Sequence, residues 1–447
     1  MQWRLVASGL ALIAATYGLA RFGYGLFLPR FAEAFEMGPA VSGAIQAGSF
    51  LSYCVTALLA ARLGSRPRLV VLLAGATAAL GAAGVAAAPN AGVLAAAVIL
   101  AGAGAGFATP GLVSLIESNV EDRQQENAQT IVNSGTGAGL VAAGLLLILV
   151  AGQWRLGWAV IAAVVVLSTA ATLRSDQKPA APAPAPRPGR KELALLGRPL
   201  VAAGLAGAAS AAVWTFGRTV LATGAETELY SIGAWMVLGA FGMLGAGAGS
   251  VVQKWSLRTA WTVTTALMSA ATLLLAATPG TAVLAYSAAA LFGASYIAMS
   301  GVLIVWAVRV LPGNGSAGTV ALFIALAVGQ AAGSIGLGAI LQPQAPLPAF
   351  GQAAAVGVLA ILPAWVRGRA DREPSDEAVP ISSGRFGLAT GLLVPLSCER
   401  TRLVLGERTP WATLPSRFRH RSAQHRRRHH PGAARASCWP SALCSSA

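Results

Sequence analysis

Uninterrupted apolar runs of roughly 17–25 residues recur along the chain, each long enough to cross about 30 Å of hydrocarbon. The pattern predicts spans at 5–28, 40–61, 69–88, 92–115, 128–150 and 156–173. After a polar break it predicts six more, at 199–221, 231–252, 260–277, 282–306, 319–341 and 350–366. The runs are continuous and Ala/Leu-rich rather than alternating, which points to helices and not strands. The expected architecture is an all-α polytopic membrane protein with twelve transmembrane helices in two pseudo-symmetric six-helix bundles. Its expected divisions are an N-terminal bundle at 1–173, a cytoplasmic Pro/Ala-rich linker at 174–198, a C-terminal bundle at 199–370 and a basic, disordered tail at 371–447. The first run follows Arg4 and is too long for a signal peptide, so it reads as a retained first helix.

The linker holds Pro179 and Ala/Pro alternation to Pro188. Such sequence favours extended polyproline II, and ten residues of it would reach ~31 Å. The tail carries His420, His425, His429 and His430 with Cys398, Cys438 and Cys444. No two of the cysteines have the short C-x₂₋₄-C spacing of a zinc module. The sequence therefore predicts no metal and no cofactor.

Charge tests the helix count. With the N-terminus inside, inner loops would hold Arg62, Arg66, Arg68, Arg123, Lys254, Arg258 and Arg309, and the central break six more Lys/Arg. The outer loops would hold only Arg30 and Arg155. This is the positive-inside bias, and it predicts that both termini are cytoplasmic. Charged residues make up 11% of the 447 residues against 55% hydrophobic, which excludes an ordinary soluble enzyme and a disordered chain. The net charge of +16 falls in inner loops and tail. Lipid and topology account for it, and no nucleic-acid partner is expected.

Candidate chemistry is sparse inside the spans. No Asp or Glu falls in mid-helix, and convergent catalytic groups are missing, so an enzyme is not expected. Glu117, near the inner end of the fourth span, is the nearest candidate for a proton relay; Glu226 and Glu228 are placed in the outer loop after the seventh. Two arginines do lie within spans, Arg21 in the first and Arg218 in the seventh. An intramembrane Arg is costly and normally faces a cavity or a partner. The first and seventh helices occupy equivalent places in the halves, and two such cations facing one cavity would favour an anionic solute. Tyr17, Tyr24, Trp214 and Tyr296 would supply aromatic surface. Gln46, Asn133 and Gln330 are amides that need partners deep in an apolar environment. Glycine pairs at 102/106, 135/139, 245/249 and 329/333 allow close helix approach. No phosphate-binding G-x-x-x-x-G-K-[ST] occurs, which argues against ATP-driven pumping.

Arg62-Leu63-Gly64-Ser65-Arg66-Pro67-Arg68 resembles the signature between helices two and three of the major facilitator superfamily. Gly102–Gly106 resembles the end of that family's fourth-helix motif. Gly135, Gly137, Gly139 and Gly144 partly resemble its fifth-helix motif, typical of exporters. Gly18-Leu19-Ala20-Arg21-Phe22-Gly23-Tyr24 is similar to a bacterial YbfB-like branch. The resemblance covers about residues 1–370. It implies a secondary transporter of the inner membrane that exposes a midplane cavity alternately to each side. Arg62, Gly64, Arg66 and Arg68 would form part of an inner gate. The solute would be a small organic molecule, export would be favoured, and a proton could couple to it. One twelve-helix chain suffices for this, so a monomer is expected. The chain departs from the family pattern at Ala61, where an Asp is usual, and near Val98, where an Arg is usual. The first departure removes the usual charge clamp of the inner gate. Multidrug-type efflux and a non-transporting receptor or assembly protein are the rival readings.

Overall fold

The computed structural model describes residues 3–177, 189–224, 227–245, 256–312, 314–342 and 345–366. The linker core at 178–188, Lys254, and the tail with all four His lie outside the described residues. Eleven described helices are long and apolar enough to cross a membrane. A shorter apolar helix, Glu228–Gly245, takes the eighth place. In chain order the first six are Trp3–Phe35, Pro39–Arg62, Pro67–Ala86, Ala91–Asn119, Asp122–Leu149 and Trp154–Ser175. The seventh is Gly197–Thr223, and after Glu228–Gly245 come Leu257–Ala277, Ala282–Val310, Gly315–Ile340 and Leu347–Leu359. A short turn, Leu362–Trp365, continues the last of them. A six-residue helix, Arg190–Leu195, precedes the seventh.

Local chemistry sets the ends. Pro39 and Pro67 open their helices, where a missing N–H costs nothing. The Asn90 side chain accepts from Val93 N at 3.0 Å and Ser256 from Thr259 N at 3.1 Å, both capping free amides. The first helix runs past its predicted end at residue 28, through Pro29, and stops where Glu36 turns left-handed at φ 50°. The eighth begins three residues before its predicted start. Glu228 is thus its first residue rather than part of an outer loop.

The outer surface of the fold is apolar: Leu80, Leu149, Leu167 and Val283 are largely exposed, as side chains facing lipid must be. Between the halves, the second helix packs along the eleventh and the fifth along the eighth. Small residues set these distances. A Cβ on Gly137 would stand 2.6 Å from the Gly239 carbonyl, closer than any side chain permits.

The first and seventh helices share a further feature. Ala14–Arg21 and Ala212–Phe216 are wound as π-helix, with Phe22 N donating to Tyr17 O at 2.9 Å, five residues back. Wide turns of this kind are uncommon and concentrate at functional sites.

Candidate functional site

A cavity of about 310 Å³ lies between the bundles. It begins at Tyr17, Arg21 and Phe22 beside the π-helical turn of the first helix. It continues along Tyr53 and Ala57, Thr109 and Pro110, Asn133 to Gly137, Ser300 to Ile304, and Thr319 to Phe323. In every one of these helices the lining residues run from the middle toward the end that carries Arg62, Arg66 and Arg68. Pro110 lacks an N–H, so the Gly106 carbonyl, also in the lining, loses its helical donor.

Toward the opposite end the halves are sealed. Phe22 stacks on Trp214 with centroids 4.2 Å apart, and Gly25 lies directly on the Trp214 carbonyl. Within the C-terminal half, Thr215 of the seventh helix and Ser334 of the eleventh share a hydrogen bond of 2.9 Å. Arg30 pairs with Glu228, Nε reaching Oε1 at 3.2 Å, and so joins the first helix to the eighth.

Arg21 dominates the cavity's inner wall. It is only 5% exposed, and among the described residues no carboxylate stands within ion-pairing distance of it. Its guanidinium carbon sits 4.1 Å from the Tyr53 ring centroid and between 5.2 and 5.5 Å from those of Tyr17, Phe22 and Phe50. Nη2 reaches Gln330 Oε1 at 3.5 Å, and Nε has no partner. Gln330 is held by its other end, with Nε2 donating to Tyr296 Oη at 3.1 Å. Tyr17 Oη and Thr109 Oγ1 are 2.9 Å apart. Five of the sequence-predicted residues therefore converge here: Tyr17, Arg21, Asn133, Tyr296 and Gln330.

The other predicted binding residues lie outside the lining. Arg218 is 1% exposed and does not face the cavity as expected. Its Nη2 donates to Glu228 Oε1 at 2.5 Å, its Nη1 to the Leu26 carbonyl, and its Nε to Ser231 Oγ at 3.4 Å. Arg218 sits near the end of its helix, against the start of the eighth. Tyr24 is buried, donating to the Ser42 carbonyl at 3.1 Å. Gln46 is fully buried, with neither amide atom partnered. Trp214 forms the seal itself, edge-on to Tyr296 at 5.1 Å. Glu117 is exposed at the end of the fourth helix and does not line the cavity.

Sequence reading missed three contributors. Thr109 and Phe50 carried no signal beyond being ordinary helix residues. Asp176 follows the sixth helix with its side chain 1% exposed. It accepts from Asn119 Nδ2 at 2.8 Å and stands 3.5 Å from Arg68 Nε. Arg68 also donates to the Leu173 carbonyl at 3.2 Å. A carboxylate thus does meet the basic loop, although Ala61 occupies the position where the family pattern has Asp. Arg62 and Arg66 are exposed, and Gly64 is half-buried in the turn between them.

The description "Major Facilitator Superfamily" matches residues 10–337. No curated protein matches the chain by sequence. Among solved structures, the nucleoside transporter NupG superposes with a TM-score of 0.64 at 14% identity, over 81% of this chain and 98% of its own. A D-xylose-proton symporter gives 0.66 at 15%, over 81% and 97%. A POT family transporter in complex with 5-aminolevulinic acid gives 0.67 at 11%, over 81% and 94%. At such identities the likeness shows the fold alone. With the family match over most of the chain, the twelve-helix layout and the cavity between its halves, this chain belongs to the major facilitator superfamily and is a multi-pass secondary transporter, not an enzyme.

Proposed function

We propose that the chain carries a small organic anion across the cytoplasmic membrane by alternating access, with Arg21 as the contact for the solute's negative group. One observation carries this reading: a buried guanidinium with an unpartnered Nε borders the cavity and lacks a carboxylate of its own among the described residues. An unpaired charge in such a place is costly, and a bound anion offsets that cost. The cavity lies toward the basic-loop end, which the positive-inside bias assigns to the cytoplasm together with both termini. Export is favoured over import on the fifth-helix resemblance, in which Gly137 lines the cavity. Placement in the YbfB-like branch rests on Gly18–Tyr24. The protein would act as a monomer, with a proton or the solute gradient as energy source.

The test is thermal stabilisation of the detergent-purified chain against organic anions, sugars, amines and lipophilic antibiotics, repeated on Arg21→Gln. A ligand at 100 times its Kd adds about 2.7 kcal/mol to apparent stability. An anion should stabilise the parent and not a folded Arg21→Gln protein. If only lipophilic amines act, equally on both, Arg21 is a structural anchor. Multidrug-type efflux, which the aromatic cavity wall also suits, then takes the place of this reading.

A further inference from the structure

The guanidinium of Arg21 is not open to its solute from every direction. Rings of Tyr17, Phe22, Phe50 and Tyr53 approach it within 5.5 Å, so much of its surface is covered by aromatic carbon. What is left for hydrogen bonding is its in-plane rim. On that rim Nε is buried out of reach, and Nη2 has only the 3.5 Å contact to Gln330, at the outer limit of a hydrogen bond. The accessible part is therefore the Nη end, where Nη1 and Nη2 each turn an N–H outward. That end is a two-donor fork, matched to the two oxygens of a carboxylate in one plane.

The rest of the lining narrows the class. Arg21 is the one cation that lines the cavity among the described residues. A dianion such as a phosphate monoester would bring a second charge with nothing to neutralise it. No Asp or Glu lines the cavity among the described residues, so the ammonium of an amino acid or peptide would enter unpaired, near a fixed positive charge. The walls next to the fork are aromatic: Tyr17 and Tyr53 meet edge-to-face at 6.2 Å, and Tyr296 and Phe323 also line the cavity. Rings arranged in this way accept another flat ring edge-on or offset. At about 310 Å³ the space is at the lower end for organic-ligand pockets, which suits one ring and a short acid arm.

From this geometry we infer that the cavity is a binding site for a small aromatic monocarboxylate, held in plane on the Nη1/Nη2 end of Arg21 with its ring among Tyr17, Tyr53 and Tyr296. This rests on Arg21 being the solute contact, and it specifies which anion Arg21 takes. It excludes nucleotides, sugar phosphates, amino acids and peptides as tight ligands of this site.

A matched ligand series on the unmodified full-length chain tests it. Phenylacetate, acetate, phenylacetamide, phenylalanine and phenyl phosphate differ in ring, charge or charge number. At about pH 8 the phosphate is a dianion. Dissociation constants come from thermal-shift titration in detergent. Phenylacetate should bind at least tenfold more tightly than each of the other four. Arg21→Lys keeps the charge and loses the fork, and it should weaken phenylacetate at least tenfold. Phenyl phosphate or phenylalanine binding as tightly as phenylacetate, with Arg21→Gln removing both, would overturn the class and leave Arg21 as the solute contact. Acetate matching phenylacetate would overturn the aromatic part. If no anion binds while amines stabilise parent and Arg21→Gln alike, this inference and the anion reading fall together.

Discussion

Arg218 and Arg21 are the same residue type on the seventh and first helices, which take equivalent places in the two halves, and their surroundings differ. Arg218 has a carboxylate from the next helix and a backbone carbonyl from the other half. Arg21 has rings and one distant amide oxygen. Removing one partner of a buried ion pair typically costs ~3–5 kcal/mol. Glu228 is 35% exposed, and solvent screens part of that. Glu228→Gln is therefore expected to lower stability by about 2 kcal/mol. Glu33→Gln, which touches only the 3.6 Å pair with Arg30 from an exposed position, should change it by less than about 0.5 kcal/mol. Thermal unfolding of the purified proteins compares the two. Equal shifts would mean that Arg218 gains nothing from Glu228.

The first helix depends on its widened turn. Between Ala14 and Arg21 the extra residue per turn breaks the ordinary register, so that Gly18 meets the fifth helix while Arg21 and Tyr17 meet the cavity. Gly18 is the contact that allows this: a Cβ there would stand 2.5 Å from Gly139 Cα and 2.8 Å from Leu140 N. Both neighbours are backbone and cannot step aside as a flexible side chain would. Gly18→Ala should cost ~1–3 kcal/mol as overpacking. It should also displace Arg21, and so weaken any anion that stabilises the parent. Gly64→Ala is the control, since its Cβ would meet only the Ala61 carbonyl, at 3.7 Å. Its melting temperature should match the parent's. A Gly18→Ala protein as stable as the parent would show that the first and fifth helices are not held at this distance.

The molecule as a whole is closed at one end and hollow toward the other. Alternating access requires the closed end to part, and its polar ties between the halves include Arg30 with Glu228, and Arg218 with the Leu26 carbonyl. Gln46 lies in the closed half with both amide atoms unpartnered, an arrangement that opening to water would relieve. Arg30→Gln removes a half-exposed pair worth about 1 kcal/mol, which corresponds to roughly a fivefold shift toward the open form. With Gln46→Cys in a chain whose other cysteines are Ser, a membrane-impermeant maleimide should label slowly. Adding Arg30→Gln should speed labelling about fivefold, in line with that shift. An unchanged rate would mean that Arg30 does not hold the halves together.

Span number and the two intramembrane arginines were legible from residue order. Lipid requires each span to satisfy its own backbone and to be apolar along its whole length, so each announces itself locally. The basic loop was legible for the same reason, as charge between spans. Pairing was not. Glu228 read as a loop acid because nothing near it in sequence marks it as the partner of Arg30, 198 positions away, or of Arg218. Asp176 read as linker, although it closes on Arg68 and Asn119. The fate of each arginine depended on helix rotation, and rotation is set by packing against other helices rather than by composition. Residue order therefore marks where charge enters the membrane, while only the folded bundles decide which charge meets a carboxylate and which does not.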